Sequence, residues 1–247
     1  MIVPGKYNGP PDSGNGGYVC GLVAGILGGV AEVTLRRPPP LDRELDVMRG
    51  DGRVEVRDGE ALVAEAGPVV FELDVPSPVS VAEAEKASPR YAGFVQHAYN
   101  TCFVCGPGRE DGLRVYAGPV EGRPGLVASP WTPSEDLRPE LVWAALDCPS
   151  GWAVDDFQRE GVLLGRMAAA IDRLPAPGEP HVVMAWRVGE DGRKRFAGSA
   201  LLAAGGEVLA RARSTWIVSS APPGSPRRAP APRSRGARAH PRPHQGF

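Results

Sequence analysis

Two short stretches of the sequence carry residue types suited to chemistry at a carbonyl group. Asn15-Gly16-Gly17 opens an apolar helical stretch that runs to about Leu27. The first N–H groups of a helix have no partner within the helix and lie at the positive end of its dipole, and glycine lets a ligand approach them. We therefore expect the Gly17 N–H, with that of Tyr18, to polarise a substrate oxygen. Asn15 either caps this helix, which is the commoner role, or orients a water or substrate oxygen with its amide.

The second stretch is the apolar run 141–146, which ends at Asp147. An acid on a buried helix is costly unless it has a partner or a function. Asp147 is predicted to be a general base toward water or a direct nucleophile, and the sequence leaves both open. The structural alternative is an ion pair with an arginine such as Arg166. Trp143 lies in the same run and is predicted, with Gly16 and Tyr18, to contact the substrate, although such aromatics more often fill a core.

An imperfect internal repeat must position these residues. Each half of the chain has a helix followed by alternating apolar strands with turns between them. The first half predicts a helix over 15–27 and strands over 31–37, 45–48, 53–57 and 61–71; the second predicts a helix over 139–153 and strands over 166–171, 182–188, 195–203 and 208–218. Glycines at 21, 25, 28 and 29 are expected to let a curved sheet approach the first helix closely.

The repeat divides the chain into four parts. Residues 1–71 form the first unit, 72–98 a proline-containing connection, 99–220 the second unit, and 221–247 a Pro/Arg-rich tail that we expect to be disordered. The tail has six arginines and no acid, so the formal net charge of −1 for the whole chain corresponds to about −7 for residues 1–220. A mildly acidic body does not suit nucleic-acid binding, which needs a basic face.

With these residues in view, the sequence resembles the hotdog-fold acyl-CoA thioesterases, especially the branch of the phenylacetate-pathway and 4-hydroxybenzoyl-CoA enzymes. That branch opens its central helix with His-Gly-Gly or Asn-Gly-Gly and places an acid about two turns later. The first half matches the opening but has Ala24 at the acidic position, whereas the second half opens with Arg138-Pro139-Glu140 and reaches Asp147. The segment Cys102-Phe103-Val104-Cys105-Gly106 also resembles the lead-in to the first strand of thioesterase-like proteins.

The resemblance implies an α+β double hotdog, with two curved antiparallel sheets that each wrap a central helix. Family sites combine the helix opening of one unit with the carboxylate of the other. Because the first half keeps the opening and the second half keeps the carboxylate, one of the two possible composite sites would be complete. It further implies a thioester hydrolase that acts on an acyl-CoA or related thioester without a cofactor, and it allows a homo-oligomer of double units. The arginines at 90, 109 and 114 are candidates for contacts with the CoA phosphates.

Two alternatives to hydrolysis stay open at this point. A hotdog protein can bind an acyl or aromatic ligand without turning it over, since one fold hosts many functions. A hydratase on the same fold is a weaker alternative, because the sequence has no Asp-x-x-x-x-His arrangement.

The four cysteines and the apolar segments bear on metal binding and location. Cys102 and Cys105 have the spacing of a zinc half-site, with His97 upstream and Cys148 far along the chain. No second close pair exists, so the sequence favours buried free thiols and no metal. The first residues lack the regions of a secretory signal, and the longest apolar run, 18–30, is too short to cross a bilayer. We therefore expect a cytoplasmic protein without a membrane contact.

Overall fold

The computed structural model describes residues 1–154 and 162–218. The expected tail and the segment 155–161 lie outside the described residues.

The first half of the chain is a helix followed by four strands. Helix α1 (Gly16–Leu27) begins after its cap, Asn15, and ends at Gly28, whose positive φ of 81° suits a residue without a side chain. Four antiparallel strands follow: β1 (Ala31–Leu35), β2 (Asp46–Gly50), β3 (Arg53–Asp58) and β4 (Ala61–Pro68). Alternate residues of β1 and β3, such as Val33 and Val54, point into the core, as a half-buried strand requires.

The connection between the halves contains a helix that the sequence analysis did not predict. Helix α2 (Val81–Ala87) begins with a capping box, in which Ser80 and Glu83 exchange hydrogen bonds between side chain and backbone. Two further unpredicted strands, β5 (Gly118–Pro119) and β6 (Leu126–Trp131), precede the second long helix.

The second half repeats the order of the first. Helix α3 (Pro139–Trp152) is followed by four long antiparallel strands, β7 (Leu163–Ile171), β8 (His181–Asp191), β9 (Lys194–Ala203) and β10 (Val208–Ile217). These bounds and those of the first half agree with the predicted elements to within a few residues.

The ten strands of the described residues form one antiparallel sheet in the order β2-β3-β4-β1-β7-β10-β9-β8-β6-β5. The two halves join where β1 pairs with β7, with Ala31 opposite Ala169 and Thr34 opposite Arg166. This pairing removes an exposed edge from each half. The main core is continuous across the junction and contains residues of both long helices and of strands from both halves.

Helices α1 and α3 pack against each other at two glycines. A Cβ atom at Gly17 would lie 2.3 Å from the Cβ of Asp147, and one at Gly21 would lie 2.6 Å from the Cα of Glu140. The helices therefore run antiparallel at very close range. The expectation that glycines bring the sheet close to α1 is wrong for this helix: Gly21 contacts α3, and Gly25, Gly28 and Gly29 have open space around the Cβ position, since nothing lies within 4 Å.

Candidate active site

Asp147 lies on α3 where that helix crosses the start of α1. Its side chain is only 2% exposed, and its Oδ2 accepts a hydrogen bond of 2.8 Å from the backbone N–H of Gly17. Gly17 is the residue that makes this contact available, because any side chain there would occupy the space of the carboxylate. The two halves of the chain thus contribute the two partners of one buried contact.

The environment of Asp147 favours a carboxyl group that can exchange a proton near neutral pH. Burial is the largest influence and raises the pKa of Asp147 to about 7, while the Gly17 N–H acts in the opposite direction. The second oxygen, Oδ1, is buried and has no hydrogen-bond partner among the described residues. The ion pair with Arg166 is absent, because that guanidinium contacts Glu32 and Thr34 on β1 instead.

Of the first three backbone N–H groups of α1, two have a hydrogen-bond partner and one has none in the described part of the chain. Asn15 is an N-cap, since its Oδ1 accepts a 2.9 Å hydrogen bond from Tyr18 N–H, and Gly17 N–H is occupied by Asp147. The Gly16 N–H has no hydrogen-bond partner within residues 1–154 and 162–218. Of the first donors of the helix, Gly16 is therefore the one left available to a ligand.

A cavity of about 450 Å³ lies at this junction. Three of the predicted site residues, Asn15, Gly16 and Asp147, border it. The remainder of its wall comes from the loop before α1, from the end of β1 with the proline turn after it, from β7 and β10, and from a group of sulfur-containing residues. These wall residues include Arg36, Arg37, His97, Cys102, Cys105, Cys148 and Trp216.

Two residues predicted to bind substrate do not border the cavity. Tyr18 stacks on Tyr7 with ring centroids 3.9 Å apart, and Trp143 is buried in the main core. Both side chains lie on helix faces that pack against other protein groups. The pattern of apolar residues along the chain does not distinguish such faces from faces that border a cavity.

Sequence reasoning missed the group that holds the backbone of Asp147. The indole Nε1 of Trp216 on β10 donates to Ser150 Oγ at 2.9 Å, and that hydroxyl donates to the Asp147 carbonyl oxygen at 2.7 Å. This link from β10 to α3 fixes the turn of α3 that carries the carboxylate. The only advance signal was a serine three residues after Asp147, which is too common a pattern to be informative.

The opposite end of the α1–α3 pair carries no comparable site. There Arg138 donates to Tyr7 Oη at 2.8 Å and pairs with Glu140 at 3.1 Å, and the stacked rings of Tyr7 and Tyr18 fill the adjacent space. Gly21 is the residue of α1 that lies against Glu140, and Ala24, one turn further along α1, offers no ionisable group. The two halves differ in these residues, and among the described residues only the end of the α1–α3 helix pair that carries Asp147 has a buried carboxylate beside the cavity.

The arginines expected to meet CoA phosphates contact other protein groups. Arg90 donates to the Pro119 carbonyl, Arg109 to Asp111 and Asn8, and Arg114 to the Glu110 carbonyl. None of these three arginines is among the residues that border the cavity in the described part of the chain.

Three of the four cysteines converge at the cavity wall. The Sγ atoms of Cys102, Cys105 and Cys148 all lie within 4.8 Å of one another, and those of Cys102 and Cys148 are 3.7 Å apart. Three of the expected free thiols therefore form a cluster, and these three cysteines are the candidate metal ligands of the site.

Comparison with solved structures identifies the fold. No family model and no curated protein matches the sequence. A protein of unknown function with hot dog fold from Alicyclobacillus acidocaldarius superposes with a TM-score of 0.58 at 12% identity, covering 89% of this chain and 92% of the other. The tesB protein of Mycobacterium avium subsp. paratuberculosis gives a TM-score of 0.55 at 13% identity over 89% and 91% of the two chains. The acyl-CoA thioesterase II TesB2 of Mycobacterium marinum gives 0.50 at 10% identity over 77% and 79%.

The chain therefore has the hotdog fold, which it shares with these solved structures. No helix among residues 1–154 and 162–218 is long and apolar enough to span a bilayer.

Proposed function

We propose that the chain is two fused hotdog units that hydrolyse an acyl thioester at the junction of α1 and α3. The observation that carries the proposal is the position of Asp147: a buried carboxylate from one half, bound to the helix start of the other, with one unpartnered oxygen at a cavity. The names of the structural neighbours tesB and acyl-CoA thioesterase II support the same reaction class.

In this proposal the helix start holds the thioester carbonyl. Gly16 N–H, the donor without a partner, donates to the carbonyl oxygen and stabilises the negative charge that develops there during attack. Gly17 N–H, which the sequence suggested as the polarising group, instead holds Oδ2 of Asp147 and so orients the carboxylate. The cap made by Asn15 keeps the first turn of α1 in place for both donors.

Asp147 then activates water or attacks directly. As a base, its Oδ1 accepts a proton while the water oxygen bonds to the carbonyl carbon; the C–S bond breaks, and the leaving sulfur takes that proton as a thiol. As a nucleophile, the same oxygen bonds to the carbonyl carbon while the C–S bond breaks, and the leaving thiolate takes a proton from water. A second water then cleaves the mixed anhydride, which releases the acid and restores the Asp147 carboxylate. Both routes need Oδ1 unpartnered and facing substrate.

Thiol release from a panel of acyl-CoAs tests the proposal. Asp147→Asn preserves size and an acceptor for Gly17 N–H, so it should fold normally, yet turnover should fall at least about 100-fold because the amide cannot accept a proton. Glu135→Gln is the matched control, since this exposed carboxylate lies outside the cavity and should leave turnover unchanged.

Unchanged turnover in folded Asp147→Asn would contradict the assignment of Asp147. No thiol release from any acyl-CoA by the native protein, with saturable binding of the same thioesters, would instead support a hotdog protein that binds an acyl ligand without hydrolysing it.

A further inference from the structure

The sulfur cluster at the cavity has the dimensions of a metal site. Cys102 and Cys105 lie in the loop that leads to β5, and Cys148 lies on α3, so the cluster joins residues far apart in sequence. All three side chains are buried, and all three Sγ atoms lie within 4.8 Å of one another. Sulfur atoms about 2.3 Å from a tetrahedral zinc ion are separated by about 3.8 Å. The 3.7 Å between the Cys102 and Cys148 sulfurs corresponds to that spacing.

The loop around the cysteine pair makes a tight turn at Cys102. Gly106 N–H donates to the Cys102 carbonyl at 2.9 Å. A Cβ atom at Gly106 would lie 2.5 Å from the Cys102 backbone nitrogen, so only glycine fits this turn. The turn therefore fixes the backbone of one candidate ligand, and the thiolate is the form of cysteine that binds metal.

Two side chains surround the cluster without joining it. His97 Nδ1 accepts a 2.9 Å hydrogen bond from Tyr99 N–H, so the neutral ring carries its proton on Nε2, which lies 3.3 Å from the Cys105 sulfur and donates to it. The Asn15 amide Nδ2 lies 3.6 Å from the Cys148 sulfur and donates from the other side. Outer N–H donors of this kind orient and stabilise metal-bound ligands.

His97 does not complete a set of four ligands. Its nitrogens are outside the group of ligand atoms that lie within 4.8 Å of one another, and its Nε2 proton faces Cys105. Among the described residues the cluster therefore provides three ligands, and the cavity borders all three cysteines. Three protein ligands with one exchangeable position distinguish a reactive zinc site from a closed structural one.

We propose that Cys102, Cys105 and Cys148 bind one Zn²⁺ ion as three thiolates, with the fourth coordination position facing the cavity and occupied by a water molecule that a small thiol can displace. On binding, three S–Zn bonds form and the protons of the three thiols pass to solvent. This inference goes beyond thioester hydrolysis and does not depend on it.

Metal analysis of the full-length chain, purified without chelator and under reducing conditions, tests the site. We expect about one zinc ion per chain by plasma mass spectrometry. Cys102→Ala, Cys105→Ala and Cys148→Ala should each lose most of it. Cys20→Ala is the matched control, because Cys20 is also a buried free thiol but lies on α1 outside the cluster, and this variant should keep the metal.

Cobalt substitution of the native protein keeps the test independent of whether a variant folds. Reduced, metal-free protein titrated with Co²⁺ should develop sulfur-to-cobalt charge-transfer bands and the strong visible bands of tetrahedral cobalt, saturating at about one equivalent. Coenzyme A added to the cobalt protein should shift the visible bands, and His97→Ala should still bind the metal.

Each result decides one part of the proposal. Native protein that holds no zinc and gives no sulfur-to-cobalt band after reduction overturns it. Metal loss in His97→Ala, or cobalt bands that do not respond to any thiol, overturns the open fourth position. None of these readouts requires thioesterase activity, so a failure here is distinguishable from a failure of the proposed reaction.

Discussion

At the scale of single residues, Gly17 has no room for a side chain. It lies where α1 crosses α3, its N–H holds the Asp147 carboxylate, and a Cβ atom there would also lie 2.6 Å from the Trp143 carbonyl oxygen. The neighbouring atoms are helix backbone and a buried side chain, neither of which can move aside cheaply.

We therefore predict opposite effects for alanine at two glycines of α1. Gly17→Ala should destabilise the protein by about 1–3 kcal/mol through overpacking and should also reduce thiol release by displacing Asp147. Gly25→Ala should be neutral or stabilising by up to about 1 kcal/mol, because the site is open and alanine favours helix. Urea denaturation of both variants, with turnover measured on each, checks the pair; equal stability changes would show that the close helix contact does not exist.

At the scale of elements, the cap of α1 has both a structural and a catalytic consequence. Asn15 and Ser80 each cap a helix by accepting a backbone hydrogen bond, but only Asn15 borders the cavity. Removing either cap should cost about 1 kcal/mol of stability.

The two cap variants should differ in activity. Asn15→Ala frees the first turn of α1, where in the proposed function Gly16 holds the substrate and Gly17 holds the carboxylate, so thiol release should fall about tenfold or more. Ser80→Ala should leave turnover unchanged, because α2 lies away from the cavity. Thermal melts and steady-state kinetics of the two variants decide this, and a similar activity in both would remove Asn15 from the proposed mechanism.

The elements were largely predictable from the sequence because alternating strands and a long apolar helix leave a clear periodic signal. Strand β6 was not predicted, because it contains Pro130 and proline is rare inside strands. Helix α2 was missed although Ser80 and Glu83 have the spacing of a capping box, a signal that was present and could have been read.

The site was predictable only in part. The pairing of Asp147 with the start of α1 was expected from the resemblance to hotdog thioesterases, but which amide meets the carboxylate depends on the close approach of two helices. The convergence of Cys148 on Cys102 depends on tertiary contacts between positions 46 residues apart, and spacing along the chain does not encode it.

At the scale of the whole molecule, charge at the cavity mouth is relevant to the choice of substrate. Arg36 and Arg37 are exposed, border the cavity and follow β1, and Arg36 pairs with Glu65. In the proposed function Arg37 is placed to attract the phosphates of coenzyme A, in place of the arginines suggested by the sequence.

Reversing that charge should affect binding rather than chemistry. Arg37→Glu should raise KM for acyl-CoA about 5–10-fold with little change in kcat, an effect of roughly 1 kcal/mol, while a thioester of N-acetylcysteamine, which has no phosphate, should be unaffected. Arg43→Glu, an exposed arginine outside the cavity that pairs with Asp58, is the control. An equal rise in KM for both thioesters would contradict phosphate recognition by Arg37.

The proposed zinc site also joins elements of the second half, because Cys102 and Cys105 belong to its first loop and Cys148 belongs to α3. Asn15, the cap of α1, contacts the cluster from the first half through its side-chain amide. Metal bound to the folded chain alone stabilises it by about 4 kcal/mol when its free concentration is a thousand times Kd. For a chain of this size that corresponds to a Tm about 8–16 °C higher. A strong chelator should therefore lower the Tm of the native protein by that order and leave the Tm of metal-free Cys148→Ala unchanged. Calorimetry on both proteins, with and without chelator, makes the comparison, and a native Tm indifferent to chelator would show that no metal bound at the cluster stabilises the fold.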